Sequence, residues 1–405
     1  MEQICINKSK SVTTPVQRLE HLGFVLCSRS MTISLGENKV KLVKETGHMV
    51  LTCKDVSIRA VAQLIGRFVS CFPGVEYGPL FYRRLEHDKS MALKSQCGNF
   101  DAHMTLTQGA KDDIEWWIKN VGSCPKLISH GNPDIILQTD ASSSGWGAKL
   151  VHGKSAGGRW AVPEMSLHIN ELETKAALLG LQALCLNVSN SHIQLQMDNT
   201  TAVAYIREMG GSHSILCNAA TFDIWNWCRQ RNIWLSAAHI PGIDNTEADR
   251  KSRLFNDATE WKLNYQAFQL CTAQWGLPDI DLFSSRLNCQ LKSYISWHPD
   301  PGAVAVDAFS LSWSNIFGYA FPPFRLLPRV LRKVEEDGAK VIVIATEWPT
   351  QPWYPRITQM SIAPPILLPN SKALLSLPWE PSRVHPLYPK LHLKAFLLLG
   401  KGSRH

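Results

Sequence analysis

The sequence predicts an α/β fold centred on residues 133–256, and three observations carry that prediction. Two short runs alternate apolar and polar residues and close on an acid: Ile135-Ile136-Leu137-Gln138-Thr139-Asp140 and Ile193-Gln194-Leu195-Gln196-Met197-Asp198. That period of two belongs to strands. Between them, the segment from Asn170 to Leu184 is a run of strong helix formers. Beyond them, Pro241-Gly242 marks a loop that leads into another helical segment.

Alternation places Ile135, Leu137 and Thr139 on one face of the first strand and Ile136, Gln138 and Asp140 on the other, so Asp140 ends the strand facing a sheet surface. Gly145-Trp146-Gly147 begins the next strand at a hairpin. In the helix, Ala176, Ala177 and Gly180 follow Glu173 at helical spacing and share its face, which lets the helix lie close to a sheet. Asp198 closes the second alternating strand. Asp244 with Glu247 reads as a capping box, which puts Asp249 early in the last helix. The candidate strands are 135–140, 146–152, 158–162, 193–198 and 233–238, and the candidate helices 170–186, 199–208, 214–230 and 245–255.

Four carboxylates, Asp140, Glu173, Asp198 and Asp249, thus stand where a fold can bring them together. Like charges raise one another's pKa, so such a cluster is costly unless a cation sits in it. Two Mg²⁺ ions about 3.5–4 Å apart can support an in-line phosphoryl displacement. Taken one at a time, each acid has a bland reading: a turn residue, a salt-bridge partner or a solvated helix face.

Thr139-Asp140-Ala141-Ser142 with Gly145-Trp146-Gly147, then Leu172-Glu173 with Ala176, then Met197-Asp198-Asn199, then His239 with Asn245 and Ala248-Asp249, resembles the type 1 ribonuclease H domain of retroelement reverse transcriptases. The wording His168-Ile169-Asn170 is most similar to retrotransposons of the DIRS type. The resemblance implies a five-stranded mixed sheet flanked by helices over 133–256, and Asp140, Glu173, Asp198 and Asp249 as ligands of two Mg²⁺ ions, with Mn²⁺ as an alternative. Glu171 is a rival to Glu173, but only Glu173 stands three residues before an alanine. The resemblance further implies that His239 assists proton transfer or product release. The substrate it implies is an RNA:DNA hybrid, recognised by groove shape, phosphates and 2′-hydroxyls. In-line attack of water on the RNA phosphate would leave a 3′-hydroxyl and a 5′-phosphate. Ser142, Asn199, Thr200 and Asn245 are candidate substrate contacts, with His168 beside them. For Asn199 and Thr200 capping or turn formation is the favoured reading, and for His168 an exposed or packed ring.

The 405 residues carry a net charge of +8 and no long single-sign block, a modest basic excess that suits a polyanionic partner without demanding one. Eleven cysteines include no Cys-x-x-Cys pair, which argues for reduced thiols and against zinc sites or a disulfide framework. No apolar run reaches the length of a membrane span and the first residues lack a signal-peptide core, so the expectation is an intracellular protein without a membrane partner, nucleus or cytoplasm left open.

Residues 1–130 read as α+β. Leu22–Leu26 and Met31–Leu35 look like strands around a turn at Ser28-Arg29-Ser30, a helix follows Ser57 with Ile58, Val61, Ile65 and Phe68 on one stripe, and Trp116 and Trp117 lie on another helix. The segment from Lys10 to Phe24 resembles the chain that follows the polymerase site of the same reverse transcriptases, so 1–130 is expected to be a remnant of palm end and thumb or connection. The Tyr-x-Asp-Asp polymerase motif is absent from the sequence, which predicts no DNA synthesis. Arg59, Arg67, Arg83 and Arg84 are candidates for gripping a duplex.

Residues 261–362 pair a buried-type strand, Lys340–Ala345, with Phe321-Pro322-Pro323-Phe324 before a helix. That order resembles phage-type adenine methyltransferases, which carry Asn or Asp directly before Pro-Pro. Phe321 holds that position here and cannot hydrogen-bond a substrate amino group, so a degenerate α/β segment without methyl transfer is expected. Residues 363–405 are Pro-rich with a basic end, Lys401 to His405, and read as a linker-like tail. Two functions follow. One is a metal-dependent endonuclease cutting the RNA strand of hybrids within a retroelement polyprotein, whose other parts would be its partners. The other is a catalytically silent nucleic-acid-binding or scaffolding protein derived from the element.

Overall fold

The computed structural model describes residue 12 and residues 14–255 and 260–401, which form two compact units. Met1–Pro133 with Ala204–Leu235 make the first, and Asp134–Val203 with Ser236–His405 the second.

In the first unit, Arg18–His21, Phe24–Cys27, Thr32–Leu35 and Lys126–Leu127 form an antiparallel sheet in that order. The hairpin expected around Ser28–Ser30 is present, but its first strand starts two residues late. Leu22 (φ 51°) and Gly23 (φ 76°) form the turn that joins it to Arg18–His21, a strand the sequence pattern did not reveal. The helix Ile58–Cys71 is capped by Ser57, whose side chain accepts from the Ala60 amide, and Ile58, Val61, Ile65 and Phe68 are all buried. Trp117, on the helix Gln108–Asn120, stacks on Phe68 at 4.5 Å. The proposed duplex grip finds most of its arginines already engaged. Arg59 pairs with Asp101, Arg84 with the fully buried Asp113, and Arg83 donates to the Gly210 carbonyl. A guanidinium that satisfies a buried carboxylate is not available to a phosphate.

In the second unit, β1 (Ile135–Ala141), β2 (Gly145–Leu150), β3 (Ser155–Arg159), β4 (His192–Met197) and β5 (Trp234–His239) build a five-stranded mixed sheet, ordered β5-β4-β1-β2-β3. β2 runs antiparallel to both β1 and β3, and β4 lies parallel to β1 with Ile193 opposite Ile135. The helices with residues in this unit are α1 (Ile169–Leu184), α2 (Thr200–Arg207) and α4 (Thr246–Arg253), whereas α3 (Ile215–Arg229) falls in the first unit. Expected and observed ranges agree within a few residues except at β3, expected at 158–162. There the chain leaves the sheet at Trp160, whose ring turns inward and donates to the Ser142 carbonyl. Two glycines set the closeness of the layers. A Cβ on Gly180 would stand 2.9 Å from the Ala148 Cβ, so α1 rides directly on β2, and a Cβ on Gly147 would stand 2.0 Å from the Ala248 carbonyl of α4.

The rest of this unit is a second α/β body. β6 (Ile280–Asp281), β7 (Phe317–Ala320), β8 (Lys340–Thr346), β9 (Ile366–Leu367) and β10 (Leu393–Leu399) form a sheet ordered β6-β7-β8-β10-β9. On one face of β8, Val341, Val343 and Ala345 pack with Val330, Leu331 and Val334 of α6 (Leu327–Asp337); on the other, Ile342 and Ile344 pack with Phe268 and Cys271 of α5 (Tyr265–Trp275). The linker reading of the last segment is therefore corrected: β10 pairs antiparallel with β8 along its whole length and is buried on both faces. Its prolines precede the strand, and Leu393-Lys394-Ala395-Phe396-Leu397-Leu398 is the near-continuous apolar run of a central strand. The basic end from Gly402 to His405 and the amino-terminal Met1 to Lys8 lie outside the described residues. No helix among the described residues is long and apolar enough to cross a membrane.

Candidate metal centre

Three acids from three elements meet. Asp140 near the end of β1, Glu173 on the first turns of α1 and Asp198 just past β4 each offer a carboxylate oxygen, and these oxygens lie within 4.8 Å of one another. The parallel pairing of β1 and β4 explains why two separate alternating strands deliver their closing acids to one edge. Glu173 arrives from above because α1 rides on β1 and β2.

The first two acids are buried and Asp198 is more open. Burial pushes Glu173 up to about 9, with the charges of Asp140 and Asp198 adding to it and the Ala141 amide opposing. Its Oε2 is buried without a hydrogen-bond partner. Asp140 is raised to about 6, again first by burial; the Ser252 hydroxyl, donating to its Oδ2 at 2.6 Å, works against the repulsion of Asp198 and Asp249. The three acids thus crowd one another so closely that Glu173 keeps its proton at neutral pH.

Asp249 is placed differently. It lies in the first turn of α4, close enough to raise Asp140, but its carboxylate is half-exposed and pairs with Arg253 at 2.7 Å. It is not one of the three converging acids. Glu171, the rival to Glu173, is spent on the helix start: His168 caps α1, accepting from the Asn170 amide, and Glu171 reaches back to the His168 amide.

Over part of its length the chain is similar to ribonuclease H structures. It aligns with ribonuclease H1 of the halophilic archaeon Halobacterium salinarum NRC-1 at 18% identity, covering 29% of this chain and 92% of that one, with a TM-score of 0.25. LC11 ribonuclease H1, solved in complex with RNA/DNA hybrid, gives 18% identity, 29% and 93% coverage and a TM-score of 0.26. The foamy viral protease-reverse transcriptase in complex with RNA/DNA hybrid gives 13% identity and a TM-score of 0.25, covering 61% of this chain and 34% of that one. No family model and no curated protein matches.

The remaining expected site residues divide between surface and interior. His239 is exposed at the end of β5, and the next amide, Ile240, donates to the Met197 carbonyl beside Asp198. Thr200 is exposed at the start of α2. Asn199 takes the capping role favoured for it: its Oδ1 accepts from the Ala202 amide, and its Nδ2 donates to Asn170 Oδ1. Ser142 and Asn245 are corrected as substrate contacts because both face inward. The Ser142 hydroxyl donates to the Ser252 carbonyl and accepts from the Ser144 and Gly145 amides, while Asn245, fully buried, donates from Nδ2 to the Thr139 carbonyl and ties the start of α4 to β1. The expected Asp244–Glu247 capping box does not form either. Asp244 lies in a short 3-10 turn, Asn245 takes the N-cap position, and Glu247 pairs with Arg250. Ser252 and Arg253, which orient Asp140 and Asp249, were not legible in the sequence; a serine and an arginine at the end of a polar helix carry no signal of what they face.

Proposed function

We propose that this chain is a metal-dependent endonuclease that hydrolyses the RNA strand of RNA:DNA hybrids, as the ribonuclease H part of a retroelement polyprotein of the DIRS type. The observation that supports it above all others is the convergence of Asp140, Glu173 and Asp198 around the unpartnered, buried Oε2 of Glu173. An all-oxygen, multiply anionic donor set fits hard divalent cations, Mg²⁺ in the first place. Asp140, Glu173 and Asp198 would hold the metal, with Asp249 joining from α4. When bound, the metal supplies charge neutralisation at the scissile phosphate and activation of the attacking water.

The protein's own groups do the rest. Ser252 fixes the orientation of Asp140 through its hydrogen bond, and Arg253 holds Asp249 at the rim. His239, open to solvent beside the Asp198 strand, is assigned the proton transfer to the departing oxygen. The retained convergence of three acids favours activity over the reading as a silent scaffold. The test is incubation of the full chain with labelled RNA:DNA hybrid and Mg²⁺. Wild type is expected to cut the RNA strand, and Asp140→Asn and Asp198→Asn to lose that activity. No cleavage by wild type, or equal cleavage by all three proteins, overturns the proposal.

A further inference from the structure

Away from the acids, the second unit carries a cleft of 320 Å³ that the nuclease reading does not use. One wall is the nuclease body, with Arg159 ending β3 and Lys251 on α4; the other comes from 282–288, 296–300 and the segment around Arg325. Its chemistry is basic and aromatic at once. The Arg159 guanidinium sits over the Phe255 ring at 4.4 Å and the Trp379 ring at 5.2 Å. Lys251 and the exposed Arg325 form no ion pair with any described residue. Trp297 lines the same cleft with 56% of its surface exposed, although a ring that size is ordinarily covered.

The acids on this lining are already committed. Asp300 accepts from the Arg286 amide and the Tyr294 hydroxyl, and Glu260 accepts from the Ser285 hydroxyl. Arg286 is engaged as well, by Glu164. His298 is held below its usual pKa by burial and by the charge of Lys251, so the positive charge left to a ligand comes from Lys251 and Arg325. A flat exposed ring beside two cations that make no ion pair with the described residues recognises a stacked base with its phosphates, the combination used to hold single strands. The volume stands at the low end of the roughly 300–1,000 Å³ of small-ligand sites, which admits about one nucleotide unit and excludes a duplex.

We infer that this cleft binds single-stranded nucleic acid, one unstacked base lying on Trp297 and the adjoining phosphates meeting Lys251 and Arg325. It is a second site, independent of metal and of hybrid cleavage. The experiment uses the full chain in chelator and a fluorescein-labelled 12-residue single-stranded DNA, read by anisotropy at several salt concentrations. Trp297→Ala is expected to weaken binding about tenfold, the loss of one base stack. Arg325→Glu is expected to weaken it and to flatten the dependence of log affinity on log salt by about 0.7, the share of one phosphate contact on a single strand. Both side chains are exposed and away from the acids, so metal-dependent hybrid cleavage by these variants, measured alongside, should match wild type. Three results overturn the inference: no binding of the single strand by wild type at low salt, wild-type affinity in both variants, or competition by an equal-length duplex as strong as by unlabelled single strand.

Discussion

Glu173→Gln should make the metal-free protein more stable, by an amount that grows with pH. The folded carboxyl is raised to about 9 from a reference of 4.5, first by burial and then by Asp140 and Asp198. Between those two values the unfolded chain has released the proton and the folded chain still holds it. The folded state therefore binds more protons, and stability falls as pH rises, from an undiminished value below 4.5 to a constant lower one above 9. Each pH unit in the window costs about 1.4 kcal/mol. Glutamine is neutral throughout and nearly isosteric with the protonated acid, so it removes that slope. Urea unfolding in chelator should find the variant ahead of wild type by about 1 kcal/mol at pH 5.5, about 3 at pH 7 and about 5 at pH 8.5, as order-of-magnitude values. Saturating Mg²⁺ should then raise the wild type through its preferential binding to the folded state and leave the variant nearly unmoved. A stability difference that is constant across the three pH values, or a variant less stable than wild type at pH 8.5, would refute the crowding of these acids.

Two further outcomes follow from the packing. Gly147→Ala places a methyl group 2.0 Å from the Ala248 carbonyl, which α4 can relieve only by lifting off the sheet; thermal unfolding should show a loss of about 1–3 kcal/mol, and cleavage should fall with the displacement of Asp249. S-adenosylmethionine should give no binding heat in calorimetry, because Phe321, at the end of β7, packs its ring towards Phe324 and offers no polar atom; an affinity in the micromolar range would show the cofactor chemistry to be intact.

The body that carries the acids was legible in the sequence because its signals are local. Alternation over six residues defines a strand and its facing, and the acids that close β1 and β4 inherit their position from the pairing of those strands. The resemblance favoured Glu173 over Glu171, and the structure gives a physical reason: the first is buried among acids, the second caps the helix. What failed was long-range. Nothing near Ser142 or Asn245 announces that their polar atoms are taken by Ser252 and Thr139, more than a hundred residues away. The same holds for β10. Its apolar run was too short for a membrane and followed many prolines, and only its pairing with β8 shows it to be a core strand. The arginines expected to grip a duplex likewise depended on partners distant in sequence, such as Asp113 for Arg84.

The carboxyl-terminal α/β body is joined to the body that carries the acids in part through one carboxylate. Glu164, almost buried, receives both terminal nitrogens of Arg286 at 3.0 Å and the Lys175 ammonium at 2.7 Å. Lys175 lies on α1 two residues beyond Glu173, and Arg286 belongs to the other body, where its backbone amide is fixed by the half-buried Asp300. Arg286 also donates to the carbonyl of Arg159, the last residue of β3. A two-pronged pair out of water has a narrow geometry and leaves an uncompensated charge if either partner is withdrawn. Withdrawing Arg286 would leave Glu164 with the Lys175 ammonium and the Ala161 amide and loosen the seat of α1, which carries Glu173. The carboxyl-terminal α/β body thus has a physical role beside the acid cluster: it completes the ion network around Glu164 that reaches Lys175 on the Glu173 helix.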